Sequence, residues 1–245
     1  MKIDRAYFGF VFGDESWRRK ALTAGLLAVV GVVVLPLWLV IGGYSVRLVR
    51  QTLRGELPSL PDWSGWRELY RDGARFHLVA LVYTLPAWLL VLFAGGVLPL
   101  LLLESLSSTV VSGWDALQSL LSIYGTSVLL LIVASLLYVP LLFLARVAQT
   151  RMIARDSLRS AFEVGEVWRL MRAGINGFLL AYGLWFAVFF LATTIAPLLL
   201  LTVVLACLSP VVLGLPLAYA LILMAPLYGA VYRQVQSDLA AGADT

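Results

Sequence analysis

From Asn176 to Tyr232 the chain runs for fifty-seven residues without one Asp, Glu, Lys, Arg or His. About twenty apolar residues cross a hydrocarbon core, so this stretch is too long for one span. It divides at Cys207-Leu208-Ser209-Pro210 into spans near 176–203 and 211–232. The rest of the chain repeats the theme. Of 245 residues 61% are hydrophobic and 13% charged, and the mean hydropathy is +0.93. A soluble domain carries about twice that share of charge. The sequence therefore reads as an all-α integral membrane protein, one membrane domain over residues 1–245.

The net charge of +4 says little until its distribution is read. Of eighteen Lys and Arg, five lie in residues 1–20, six in 47–75, six in 146–172, and the last is Arg233. Segments 104–118 and 204–214 contain none. Basic residues mark cytoplasmic loops. Loops 47–75 and 146–175 are accordingly expected in the cytoplasm, and 105–118 outside, in a multi-pass protein of the cell membrane.

Apolar runs over 76–103 and 119–145 supply two more spans, for four in all. Residues 21–46 form an N-terminal membrane-inserted helix that Pro36 and four glycines interrupt, allowing a kink or two half-helices. As a fifth span with the N-terminus outside, it leaves thirteen basic residues in the cytoplasm and five outside. As a re-entrant segment it lets all eighteen lie on one side. Trp17-Arg18-Arg19-Lys20 precedes an apolar run longer than a signal peptide's core and without a small-residue cleavage site, so it reads as an interfacial flank. The tail Arg233–Thr245 is expected to fray.

The two basic regions resemble one another. Leu35-Pro36, Arg47, Arg50 and Arg54 answer Val139-Pro140, Arg151, Arg155 and Arg159. Trp66-Arg67, Arg71 and Gly73 answer Trp168-Arg169, Arg172 and Gly174. A two-fold internal repeat follows, with units near 21–103 and 119–203 and a final span at 211–232. Such duplications recur in membrane proteins.

On a helix Arg47, Arg50 and Arg54 share a face, and so do Arg151, Arg155 and Arg159. These six are the candidate lipid-headgroup residues, at about 1 kcal/mol per basic residue near an anionic surface. Glu56, Asp62, Glu68 and Asp72 lie among them, so internal ion pairs are the competing use. Asp62 follows Pro61 and can cap a helix. In a helix from Asp62 to Phe76, Trp63, Trp66, Leu69, Tyr70 and Phe76 gather on one side, with Glu68, Arg71, Asp72 and Arg75 toward the other. Such a helix lies flat in the interface. Phe162, Val167, Trp168, Met171 and Ile175 repeat the pattern more weakly. Trp17, Trp63, Trp66, Trp114 and Trp168 are the expected interfacial anchors.

Catalytic signals are missing from the sequence. No ionisable residue sits in the middle of an assigned span, where a proton relay needs one. There is no phosphate-binding loop and no nucleophile elbow. One Cys (Cys207) and one His (His77) make neither an intrachain disulfide nor a zinc site. His77, near Arg75 and Asp72, reads as an interfacial hydrogen-bonder sooner than a base. Tyr83, Thr126, Ser127, Ser135, Tyr138, Thr193 and Thr194 read as helix–helix glue. No cofactor, metal or nucleic-acid partner is expected.

The pattern Gly43-Tyr44, Arg47, Arg50, Gly55, Leu60-Pro61, Trp63, Trp66, Leu69, Asp72-Gly73 resembles an uncharacterised family of prokaryotic multi-span membrane proteins, catalogued as a domain of unknown function. The likeness is strongest over residues 14–88. It implies the architecture and no catalytic residues. The expectation is a non-enzymatic accessory or scaffold subunit, with membrane lipids, another membrane protein or a second copy as partners. The alternative is a permease for a lipid-like or apolar solute.

Overall fold

The computed structural model describes residues 10–13, 15–100, 104, 113–200 and 209–241. The assigned break around Cys207 and most of the expected external loop lie outside these residues. The described residues are helical apart from short connections. Seven α-helices follow in order: α1 Trp17–Val33, α2 Leu37–Leu53, α3 Trp66–Leu92, α4 Gly113–Arg155, α5 Val164–Ala173, α6 Ile175–Leu200 and α7 Ser209–Ala241. A π-helical segment, Phe93–Val97, extends α3, and a 3-10 turn, Leu158–Phe162, precedes α5.

Four helical stretches are long and apolar enough to cross a membrane: Trp66–Leu100, Leu117–Arg155, Ile175–Ile195 and Val211–Ala241. They coincide with the four spans expected from sequence. The helices overrun the apolar limits because charge alone does not end a helix. α4 carries the second ladder as its own last turns. α7 continues through Arg233 to Ala241, so the fraying expected from Arg233 is not found that far, and the last four residues lie outside the described ones. Val235, buried in that extension, packs beside Gly174.

Residues 21–46 are not one helix. The chain breaks at Val34-Leu35-Pro36 into α1 and α2, of 17 residues each. Proline has no N–H to give and its ring crowds the preceding turn. At about 1.5 Å per residue, each arm is roughly 25 Å long, short of the roughly 30 Å core.

Contacts divide the chain into two compact units, Met1–Val79 with Arg146–Thr245, and Ala80–Ala145. In the first, α7 is the central helix. The Tyr219 hydroxyl donates to Ala21 O at 2.9 Å, and a Cβ on Gly214 would lie 2.8 Å from Ala28 O. α1 therefore runs antiparallel to α7. Ile41 shares a buried cluster with Ala218, Thr52 abuts Gly229, and Gly55 lies by Arg233, so α2 runs parallel to α7. Together α1 and α2 form a helical hairpin against α7. Its packed face is small: Ala24, Gly25 and Ala28 are buried, while Leu22, Leu26 and Val30 point outward. Small residues let backbones approach where lipid offers no hydrophobic drive to associate. In the second unit, Trp88 of α3 meets Tyr138 of α4 edge-on at 6.1 Å.

Candidate functional site

The Gly42–Phe76 segment folds back onto the start of the hairpin. Lys20, nearly buried at the head of α1, donates to Leu60 O at 2.7 Å and pairs with Asp62 at 3.0 Å. Trp63 Nε1 donates to Lys20 O at 3.1 Å, and the Trp63 ring stacks on Tyr44 at 4.1 Å. The Tyr44 hydroxyl donates to Pro61 O. The extended 56–65 strip is thus clasped to the beginning of α1 and the side of α2.

This clasp changes the expected role of Asp62–Phe76. No separate interfacial helix forms there. Gly65, at φ +65°, opens α3, and Glu68 and Leu69 donate to its carbonyl. Trp66 to Phe76 is then the first part of an unbroken helix, because nothing between Trp66 and Pro86 interrupts it. Asp62 is not a cap but the partner of Lys20. Asp72, expected on the polar side, is 4% exposed, held by Arg50 from α2. Phe76 and Leu69 are buried within the chain, while Trp66 and Tyr70 stay half exposed. The weaker second pattern falls only in part on a separate short helix, α5. In α5, Val167, Leu170 and Met171 face inward; Trp168, Arg169 and Arg172 face out, and the Arg172 guanidinium lies 4.9 Å from the Trp168 ring.

The six ladder arginines fall into two groups. Arg47 pairs with Glu68 at 3.6 Å and donates to Asp62 O at 3.2 Å. Arg50 bridges Asp72 and, at 3.3 Å, Asp156 beyond the end of α4, which joins the two ladders. Arg151, with its side chain 9% exposed, bridges Glu163 and Glu166, the latter at 3.3 Å. These three are internally neutralised. Arg54, Arg155 and Arg159 are exposed, and no ion pair holds them among the described residues.

Both ladder helices end alike. Gly55 has φ +84°, with Glu56 N donating to Gln51 O and Gly55 N to Thr52 O. Asp156 has φ +45°, with Ser157 N donating to Met152 O and Asp156 N to Ile153 O. This left-handed cap suits glycine, and Asp tolerates it better than most residues.

α2 and α3 cross with their backbones in contact. A Cβ on Gly73 would overlap Leu39 O, and one on Gly43 would overlap Leu69 O. Beside this crossing His77 Nδ1 lies 2.9 Å from Gly73 O, so it is a helix-bonded spacer over Gly42. Deeper in the unit, the Arg146 guanidinium sits 5.3 Å from Phe76 and 5.0 Å from Trp185, a cation between two rings. It donates to Gln149 Oε1, and the buried Gln149 Nε2 donates to Phe76 O at 2.7 Å. Sequence reading missed Arg146, Gln149 and Tyr228 as a set. A single arginine at the start of a ladder and a lone Gln carry no spacing signal.

Of the expected anchors, Trp17 is half buried beside Arg18, Trp66 and Trp168 are exposed at helix surfaces, Trp114 is 73% exposed, and Trp63 is committed to the clasp. The family described as Protein of unknown function (DUF4013) matches residues 26–201, well over half the chain. Among curated proteins and among solved structures nothing matches.

Proposed function

We propose that this chain, which belongs to the DUF4013 family of proteins of unknown function, is a non-enzymatic scaffold or accessory subunit of the membrane. It holds another membrane protein or anionic lipid against its surface. One observation carries the reading. Three of the four span-length helices bury only 22–24% of their apolar windows inside the chain, against 56% for the last. Apolar surface left open on that scale takes lipid or a partner's helices.

The N-terminal hairpin is read as re-entrant. Its arms are short, and the Lys20 clasp brings the start of α1 to the loop that follows α2. Its tip is apolar, with Leu35 71% exposed. The tip carbonyls of Val34, Leu35 and Pro36 all accept backbone bonds from Leu37, Trp38 and Leu39. A turn without orphan carbonyls is what hydrocarbon tolerates. The matching left-handed caps support an internal duplication. Arg54, Arg155 and Arg159 are the cations left to meet headgroups. The permease alternative has less behind it: the cavities beside Arg50 and beside Tyr228 measure ≈ 10 and ≈ 20 Å³, and one of ≈ 280 Å³ opens among the polar groups Arg172, Gln234 and Asp238 near the ends of α5 and α7.

Native mass spectrometry of the protein released from gentle detergent tests the scaffold reading. The expected result is a chain carrying anionic lipid, a second protein or a second copy. A bare monomer at every release energy overturns it.

A further inference from the structure

Four helices meet where Phe76 of α3 crosses the first unit. Between α2, α4 and α7 they leave a cavity of ≈ 20 Å³ whose polar wall is Ser45, Arg146, Gln149, Thr150 and Tyr228. Most of these groups have committed their hydrogens. Ser45 Oγ donates to Ile41 O, Thr150 Oγ1 to Arg146 O, and Gln149 Nε2 to Phe76 O. Tyr228 has not. Its side chain lines this cavity, and its buried hydroxyl has no hydrogen-bond partner among the described residues. An orphaned hydroxyl in a dry interior is costly, and the large majority of buried side-chain polar groups are satisfied by protein or water.

The size of the cavity selects the ligand. One water needs roughly 10–15 Å³ of such space and two to four polar neighbours. This cavity has room for one and not for two, and the hydroxyl oxygens of Ser45 and Thr150 keep lone pairs free to accept. We propose that the cavity holds one structural water, bonded to the Tyr228 hydroxyl and to the polar wall of α2 and α4. The water is a binding site in its own right, and it couples the last span to the second ladder helix. A second cavity, beside Arg50 and Asp72, measures ≈ 10 Å³ and falls at the lower limit for a water, so the inference is confined to Tyr228. It stands independently of the scaffold reading.

Radiolytic footprinting in H2¹⁸O tests it on the unaltered protein, because hydroxyl radicals form from bound water in place. Tyr228 is expected to be oxidised several-fold faster than Phe178, the buried ring stacked beside it, with ¹⁸O incorporated. Protection equal to that of Phe178 overturns the proposal. The sign of the Tyr228→Phe effect checks it separately. If the water is there, the variant strips it of a partner and Tm falls. If the cavity is dry, the variant relieves an orphan hydroxyl and Tm rises, against the proposal. Exchange of chloride for gluconate should leave the Tm of the unaltered protein unchanged. A shift would mean that an anion drawn by Arg146 fills the space, and that also overturns the assignment to water.

Discussion

Arginines that look equivalent in the sequence differ in what opposes their charge. Arg151 is enclosed and bridged to Glu163 and Glu166, so removing its charge strands Glu163 and leaves Glu166 to Arg169 alone, whatever the lipid. Arg151→Gln should lower stability by about 1–3 kcal/mol, equally in neutral and in anionic nanodiscs. Both carboxylates are nearly half exposed and regain water, which keeps the loss below that of a fully buried pair. Arg54, Arg155 and Arg159 face outward. Changing all three to Gln should leave Tm within a degree or two, and should reduce the anionic lipid retained in native mass spectrometry. A large melting shift with unchanged lipid would reverse the division. The tryptophans divide in the same way. Trp66, 49% exposed, should be quenched by lipids brominated near the headgroup. Trp63, stacked on Tyr44 and bonded to Lys20 O, should be quenched much less. Equal quenching of single-tryptophan variants would contradict the clasp.

Elements are held at the crossings by what their glycines leave out. At the contact of α2 with α3 the atoms that a new methyl would meet are backbone, Leu39 O and Leu69 O, which cannot swing aside. Gly73→Ala and Gly43→Ala should each cost at least 1–3 kcal/mol, measured by thermal unfolding in detergent. At Gly125 of α4 a Cβ meets nothing, so Gly125→Ala should be neutral or slightly stabilising, and equal losses at all three sites would refute the crossing. The positions of the spans were legible because hydropathy is summed over about twenty residues and tolerates local error. The break at Pro36 was legible as a possibility, since proline and glycine act locally. Where helices start and stop was less so. α3 begins at Gly65 because that residue takes φ +65°, and Asp62 had seemed the better cap only while Lys20, forty-two positions earlier, was out of view. Asp72 was placed outward by its charge alone, and its burial depends on Arg50 arriving from another helix. Long-range pairing of this kind leaves no periodic trace. The bounds of α5 were misread because Phe162 and Ile175 belong to its neighbours.

On the scale of the whole molecule the open choice is the side of the N-terminus, and charge and geometry bear on it together. The unit Ala80–Ala145 contains no Lys or Arg, so the loop within it is free to be translocated. Of the other stretches, 47–75 and 146–175 are basic, and the one around Cys207 carries no Lys or Arg. If α1 and α2 acted as one crossing, the five basic residues of 1–20 would lie opposite the other thirteen. In the hairpin α1 descends antiparallel to α7 and α2 returns parallel to it, so that Lys20 meets Leu60 and Asp62. The head of α1 and the 56–65 strip are then on one side, and all eighteen basic residues can share it. Single cysteines at Glu15 and at Ser64, each in a Cys207→Ala background, should therefore respond alike. Both should be protected from an impermeant maleimide in intact cells and labelled in inverted vesicles. Opposite responses would show that the hairpin crosses the bilayer, and the re-entrant reading would fail. Labelling of both in intact cells would preserve the hairpin and reverse the cytoplasmic assignment. The Lys20 clasp supplies a third arm. Lys20→Met leaves Leu60 O and Asp62 without their cation and frees the start of α1, so labelling at Glu15 should quicken while labelling at Ser64 keeps its sidedness. A change of side at Ser64 would mean that basic-residue count, and not the packing against α7, sets the topology of the first loop.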